Sequence, residues 1–344
     1  MKVAPRPPAR DRNGSEGRVK AVVIVEHGGP EVLRVADVAE PVPGSGELRV
    51  GVTHVGLNHL DVWVRRGVPG HDFHLPRVPG SDVAGVVDGQ AVVLHPSWGC
   101  GTCESCLAGR QNRCRHFSIR GESADGGCAE RVVAPAWQVL PIPAGMDAAA
   151  AASLPLALLT AWHMLLTRAR LQMGERVLVQ AGGSGVGVIA VQLAKSLGCD
   201  VHATASTPEK RARLEGMGAT AWPYDAVGVR DVDVVFDTVG RDTWSISMRA
   251  LRWGGRLVCC GATSGADVPL NLRALFFKQI EVLGSTMGTS AEMIAAWRTV
   301  TAGEIKPIVH VVLPMSRLGD AHALLERREV FGKVVVHQDL FHAH

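Results

Sequence analysis

Two groups of residues have types and spacing that could do chemistry. The first is Cys100-Gly-Thr-Cys103-Glu-Ser-Cys106, followed after seven more residues by Cys114. Two consecutive C-x-x-C steps bend the chain so that three thiolates converge, and a fourth closes a tetrahedron. Four sulfur ligands leave no open coordination position, so the group predicts one structural zinc ion remote from the chemistry. A redox-active C-x-x-C is the competing reading, but that chemistry needs only two thiols. The second group is the run Gln180-Ala-Gly-Gly-Ser-Gly-Val-Gly187. Counted as G-x-G-x-x-G from Gly182, it has Ser184 at the middle position and Gly187 at the last. Gly182, Gly183, Gly185, Val186 and Gly187 would let the backbone approach a pyrophosphate whose charge meets the amino end of a helix. A tight turn with a purely structural purpose is the alternative.

The dinucleotide is read from the end of the next strand. An NAD site places Asp or Glu about 20 residues beyond the glycines, to bond the ribose 2′-hydroxyl. This chain reads Thr204-Ala205-Ser206-Thr207 there, with Lys210 and Arg211 following, and Asp200 lies at the wrong end of the strand. Ser206, Thr207 and Lys210 suit a 2′-phosphate, so NADP(H) is the expected cofactor. The plainer reading makes Lys210 and Arg211 a solvated helix face.

These residues need a scaffold, and the 344-residue chain is long enough for about two domains. From Val19 to about Ala134, short β-branched runs alternate with Gly and Pro, the pattern of a β-barrel or sandwich. After Pro155 the pattern changes to alternating strands and helices. Strands are expected at 176–180, 200–205, 232–236 and 256–260, and helices at 186–197, 208–217 and near 245–251. That alternation means a doubly wound parallel sheet, and the fold class is α/β. A helix from Ala291, the strand HVVL and the closing strand GKVVV return to the β-rich character of the first half. The expected division is a flexible tail at 1–18, a catalytic domain at 19–157 with its cysteine lobe near 99–115, a dinucleotide domain at 158–287, and a return to the catalytic domain at 288–344.

Composition removes several functions. Apolar residues make up 47% and charged residues 20%, which excludes a disordered chain. A formal charge of +3 gives no electrostatic case for nucleic acid or an anionic membrane. The apolar run 148–166 contains Pro155 and His163 and reads as a packed helix with a Pro-marked boundary, not a membrane span. The first 18 residues hold prolines and basic residues but no apolar stretch, unlike a signal peptide. Clustered thiols with scattered companions suit a reducing cytoplasm. Tyr224 is the only tyrosine and falls in the dinucleotide region, so a tyrosine proton donor is not expected in catalysis.

Taken together, the cysteine lobe, the glycine turn, GLNHLDVWVRRG, VPGSDVAGVV and the tail FGKVVV resemble the medium-chain dehydrogenase/reductase superfamily. Its members include zinc alcohol dehydrogenases and quinone oxidoreductases. The resemblance runs in family order over essentially everything after Arg18. It implies a chaperonin-10-like β domain, a Rossmann domain and an active site in the cleft between them. Connections near Gly89 and between Tyr224 and Asp231 look shorter than is usual in the family.

The resemblance also carries site residues and one departure. Zinc-using members place a cysteine where this chain has Asn58, a His-Glu pair where it has Ser81 and Asp82, and a third ligand near Leu156. Leu60 replaces their proton-relay hydroxyl. Asn58 and Asp61 instead fit the G-x-N-x-x-D-x-x-x-R-x-G pattern of zinc-free quinone oxidoreductases. Asn58, Asp61 and Thr160 are therefore the candidate catalytic residues, with Asn58 either a donor to the substrate oxygen or a structural cleft residue. His59 stands where zinc enzymes often hold a cation near the pyrophosphate, or is an ordinary cleft wall. Val239, Gly240, Gly261, Ala262, Gly284 and Ser285 would line the nicotinamide half, and Lys333 would touch cofactor or substrate.

The expected function is an NADP(H)-dependent reductase of quinones or α,β-unsaturated carbonyls. Such acceptors are already electron-poor, and one hydrogen bond to the developing oxyanion serves in place of a Lewis acid. An alcohol dehydrogenase recruiting His59, Asp82 or His95 to a second zinc is one alternative, and a non-enzymatic dinucleotide-binding protein is another. The expected partner is a small-molecule substrate, and family habit adds a homodimer or homotetramer.

Overall fold

The computed structural model describes residues 17–340. The tail expected at 1–18 therefore lies, apart from its last two residues, outside the described residues. Two large sheets organise the remainder. One is six-stranded and parallel, in the order Thr220–Trp222, Asp200–Thr204, Arg176–Val179, Val232–Asp237, Leu251–Cys259, Glu281–Gly284. Val177, Leu178 and Val179 are buried completely, as a central strand covered by helices on both faces requires. The chain leaves this strand toward Asp200–Thr204 on one side and returns to Val232–Asp237 on the other. The strand order thus reverses beside Arg176–Val179, and that is where an open α/β sheet makes its ligand crevice.

The second sheet has seven strands. Val309–Pro314, Lys333–His337, Glu47–Gly56, Asp82–Val87, Gln90–Leu94 and Val139–Pro141 follow in order, and Arg131–Pro135 also pairs with Glu47–Gly56. The short connection near Gly89 is a two-residue hairpin turn, Asp88-Gly89, between the paired Val87 and Gln90. An antiparallel pair, Arg18–Ile24 with Leu33–Ala39, stands beside this sheet.

The apolar run at 148–166 joins the two halves. Asp147 caps the helix Ala148–Ala152 by accepting from the Ala149 and Ala150 N–H groups. Pro155 opens a second helix, Pro155–Trp162, where its missing N–H costs nothing. Every residue from Pro155 to Ala161 is buried against protein, so the hydrophobicity of the run serves the core. Among the described residues, no helix is long and apolar enough to cross a membrane.

Some elements differ from expectation. The helix expected near 245–251 spans Arg241–Ala250, and the next strand begins at Leu251 rather than 256. The sequence pattern does not announce the helices His59–Arg66, Glu104–Leu107, Leu272–Phe277 and Leu318–Glu326, nor the strands Thr220–Trp222 and Glu281–Gly284.

Candidate active site

A cleft of about 700 Å³ opens at the strand-order reversal and is lined from both halves of the molecule. The glycine turn supplies Gly183, Ser184, Gly185 and Val186 to its wall, and the following strand supplies Ala205 and Ser206. Asn58, His59, Thr160, Lys210, Val239, Gly261, Ser285 and Lys333 line it as well. Gly182, Gly187, Thr207, Gly240, Ala262 and Gly284 do not reach the cleft, and they shape its support instead. A Cβ on Gly187 would come 2.3 Å from the Ala181 carbonyl oxygen, so only glycine lets the helix Gly185–Ser196 start so close to the strand. Ser184 caps that helix, its hydroxyl accepting from the Gly187 N–H at 3.0 Å. Thr207 caps the helix Pro208–Gly216 by accepting from the Lys210 N–H. Gly240 takes the positive-φ position before Arg241–Ala250, and the Gly284 carbonyl accepts from Arg168.

The exposed amino end of Gly185–Ser196 and the wall of small residues fit a dinucleotide pyrophosphate. At the end near Ser206 the cleft also presents Lys210, Arg328 and Tyr224. The Lys210 Nζ donates to the Arg328 carbonyl at 2.6 Å, which brings the side chain across to the turn before the closing strand.

The opposite wall carries a buried network. Lys333, first residue of the strand Lys333–His337, sends its ammonium to Asn58 Oδ1 at 2.5 Å and to Asp82 Oδ2 at 2.9 Å. Asn58 Nδ2 donates to the same Asp82 oxygen at 3.0 Å and to the Gly56 carbonyl at 3.5 Å. Asp82 Oδ1 accepts from the Leu156 N–H at 2.6 Å, at the amino end of the helix Pro155–Trp162. Leu156 and Thr160, one turn apart, share a helix face and both line the cleft. The fold therefore gathers Asn58, Asp82 and Leu156 as the resemblance implied, and adds Lys333 to them. Asn58 does not fit the expected role of donor to substrate, because its amide N–H groups are turned to Asp82 and Gly56. Ser81 is buried, and its hydroxyl has no hydrogen-bond partner.

Asp61 lies behind the cleft instead of in it. Its carboxylate accepts from the Asn58 N–H at 2.8 Å and the Gly80 N–H at 2.8 Å, closing a capping box on the helix His59–Arg66. Burial pushes its pKa up to about 6, against the opposing pull of those two N–H groups. Its expected catalytic role is thus replaced by a structural one. His59 is half-buried in the cleft wall. Burial, then the Arg328 and Lys333 cations, hold its pKa below the ordinary histidine value, which favours a neutral imidazole. His95 shares no hydrogen bond with this network. Buried beside Trp137, it accepts at Nδ1 from the Ser97 N–H, and it does not line the cleft. His59, Asp82 and His95 accordingly form no ligand group. Among the described residues, the cysteine cluster is the one group of three or more His, Cys, Asp or Glu side chains with converging ligand atoms.

The Cys100, Cys103, Cys106 and Cys114 sulfurs all lie within 4.8 Å of one another. Four sulfurs around one zinc at about 2.3 Å stand roughly 3.8 Å apart, so a small contraction seats the ion. Two N–H groups already point at the Cys114 sulfur, from Cys100 at 3.4 Å and His116 at 3.3 Å. The Thr102 and Cys103 N–H groups pull the Cys100 thiol down to about 5, while burial pushes Cys106 up to about 12. Four thiolates this close need a cation to ionise together, and zinc suits the all-sulfur set.

Sequence reasoning missed Arg328, Tyr224 and the aromatic wall of Trp63 and Phe73 in this cleft. Of these, Trp63 alone carried a signal: it sits inside the GLNHLDVWVRRG segment. It also missed the role of Asp82 as the carboxylate that holds Lys333.

A parallel sheet with a glycine turn, a second β sheet across the cleft and an outlying cysteine lobe define a medium-chain dehydrogenase/reductase. Residues 44–144 match the alcohol dehydrogenase GroES-like domain and 185–302 the zinc-binding dehydrogenase family. The chain belongs to that superfamily. A crystal structure of an NAD-dependent alcohol dehydrogenase superposes with a TM-score of 0.88 at 40% identity, covering 92% of this chain and 99% of that one. Acryloyl-coenzyme A reductase of Sulfurisphaera tokodaii is 25% identical over 335 residues, 92% of this chain and 99% of its own. Quinone oxidoreductase of Homo sapiens is 26% identical over 322 residues, 88% of this chain and 93% of its own.

Proposed function

We propose that this oxidoreductase reduces quinones or α,β-unsaturated carbonyls with NADP(H) and uses no metal in its cleft. The observation that carries this reading is the donor set at the cleft wall. Asn58 and Asp82 hold an ammonium between them, and the residues at the three positions, Asn58, Asp82 and Leu156, offer one carboxylate, already shared between Lys333, Asn58 and the Leu156 N–H. That arrangement supplies hydrogen bonds and positive charge, not a Lewis acid with an open site. When bound, the nicotinamide supplies the hydride. The glycine turn and the amino end of Gly185–Ser196 hold its pyrophosphate, Ser206 and Lys210 the adenosine phosphate, and Val239, Gly261 and Ser285 the nicotinamide half. Trp63, Phe73, Leu60 and Met287 give the acceptor an apolar bed and exclude water.

The likeness to quinone and acryloyl-coenzyme A reductases supports this reading. The 40% identity to an alcohol dehydrogenase favours a second one, in which the same cleft oxidises an alcohol. A screen of NADPH oxidation against quinones, enones, enoyl thioesters and aldehydes, beside NAD(P)+ reduction by alcohols, tests both. Turnover with quinones or enones is the expected result. Alcohol oxidation that tracks a second bound zinc overturns it.

The protein is further proposed to act in a reducing cytoplasm, which its eight unpaired cysteines suit, and to self-associate. Glu281–Gly284 is an edge strand of the parallel sheet, and Leu272, Phe276 and Phe277 in the preceding helix are exposed. An unpaired edge with apolar neighbours suits a homodimer, or a homotetramer built from it.

A further inference from the structure

We infer that Lys333 is a catalytic residue, its free N–H donating to the substrate oxygen that gains negative charge, with Asn58 and Asp82 as the residues that position it. This rests on the proposed reduction of quinones or enones. An ammonium has three donors. Two are taken by Asn58 Oδ1 and Asp82 Oδ2, and the Lys333 side chain lines the cleft. The two polar side chains nearest it in the argument, Asn58 and Thr160, are committed elsewhere. Asn58 gives its amide hydrogens to Asp82 and Gly56, and the Thr160 hydroxyl donates to the Met287 sulfur at 3.8 Å. Lys210 spends a donor on the Arg328 carbonyl and sits on the helix after Ser206.

The path of the side chain supports the same role. A Cβ on Gly185 would come 2.6 Å from Lys333 Cδ, so the glycine turn leaves the room through which the lysine stem reaches the cleft. The Gly332 N–H donates to the Gly183 carbonyl at 2.9 Å and ties the start of the closing strand to that turn. Lys333 is thus fixed at both ends, by the glycine turn behind and by Asn58 and Asp82 ahead. A buried donor held this firmly needs little reorganisation as charge develops.

The chemistry balances with the reduced nicotinamide as hydride source. The hydride and its electron pair form a C–H bond at the β-carbon of the acceptor. The C=C pair shifts to the Cα–C position, and the carbonyl π pair comes to rest on oxygen as an enolate. Lys333 stabilises that oxygen by hydrogen bonding and keeps its own protons. A solvent proton then completes the bond at the α-carbon, leaving a saturated carbonyl and the oxidised dinucleotide. Quinones follow the same course, with the charge on a phenolate oxygen.

The test uses 4-nitrophenol as a mimic of the charged oxygen, read by absorbance on the intact protein without turnover. The phenol in the cleft should ionise at least one pH unit below the free compound, a tenfold preference for phenolate. Lys333→Arg should keep the shift. Lys333→Met combined with Asp82→Asn should abolish it, and this pair leaves no lone buried charge while its amide oxygen still accepts from Leu156. A titration identical to that of free nitrophenol, or a shift that survives in the double variant, overturns the inference. With an acceptor in hand, the double variant should lose roughly 10²–10³-fold in hydride-transfer rate while the NADPH Kd stays within about threefold. A weakened Kd with an unchanged rate at saturation would assign Lys333 to the cofactor instead and refute the catalytic role. If the acceptor screen fails while the nitrophenol shift depends on Lys333, the reductase reading falls and the oxygen site stands.

Discussion

The Asn112 side-chain amide lies 3.0 Å from Nε2 of the buried His163 and also donates to the Thr286 carbonyl at 3.1 Å. Asn112 belongs to the short turn before Cys114, whereas Thr286 lies on the cleft wall. Through this contact the cysteine lobe is fastened to a segment that borders the cleft.

The fastening predicts how metal loss is felt. Purified protein should carry one zinc per chain, and Cys103→Ser should release it and lower the melting temperature. Asn112→Ala should retain zinc yet cost about 1–3 kcal/mol, since it orphans a buried ring nitrogen. Metal analysis and thermal unfolding separate the two. Normal stability in Asn112→Ala would show that the lobe is held by other contacts.

On its far side His163 meets Glu292, with Nδ1 2.8 Å from the carboxylate. Burial pushes the Glu292 pKa up, but bonds from His163, Thr167 and the Thr289 N–H outweigh it and hold the group at about 2. The ordinary glutamate value is about 4.3. Between those values the unfolded chain binds more protons than the native one. The stability from this group is therefore present above about pH 4.3 and lost as pH falls toward 2. Unfolding measured across that window should be steeper in the wild type than in Glu292→Gln. Parallel curves would mean that Glu292 is not what titrates.

Local patterns account for what was legible in the sequence. RVLV followed by clustered glycines can hardly be anything but a buried strand turning into a helix, and the cysteine spacing already marks, within fifteen residues, the four sulfurs that converge. The Asn58–Lys333 contact joins residues 275 apart, which no local pattern encodes. Asn58 and Asp61 show a different failure. The same N-x-x-D spacing serves a family site pattern and a capping box, and only the fold shows that Asp61 faces the Gly80 backbone. Arg328 was hidden because it enters the cleft from a positive-φ turn position, outside any motif.

The capping role of Asp61 can be measured. Asp61→Ala removes the acceptor of two N–H groups in a buried setting and should cost about 1–3 kcal/mol of stability. Hydride-transfer rate at saturating substrates should fall far less than in the Lys333 double variant, because Asp61 does not line the cleft. Equal losses in both would return Asp61 to the chemistry.

Cofactor preference is the remaining expectation. Where an NAD site would hold a carboxylate, the cleft presents Ala205 and Ser206, with Lys210 and Arg328 beside them. Lys210 is not a freely solvated side chain: burial lowers its pKa, partly offset by Glu329, and its ammonium is anchored on the Arg328 carbonyl. An anchored cation and a second cation lining the same end of the cleft favour a dianionic phosphate over a ribose hydroxyl. NADPH should therefore exceed NADH in kcat/KM. Lys210→Ala should narrow the ratio by about tenfold, equivalent to about 1.4 kcal/mol, and Arg328→Ala should act in the same direction. The loss should fall on KM for NADPH and leave NADH nearly untouched, since only the former carries the phosphate. Equal use of the two cofactors by the wild type would show that this end of the cleft reads the adenosine without its phosphate.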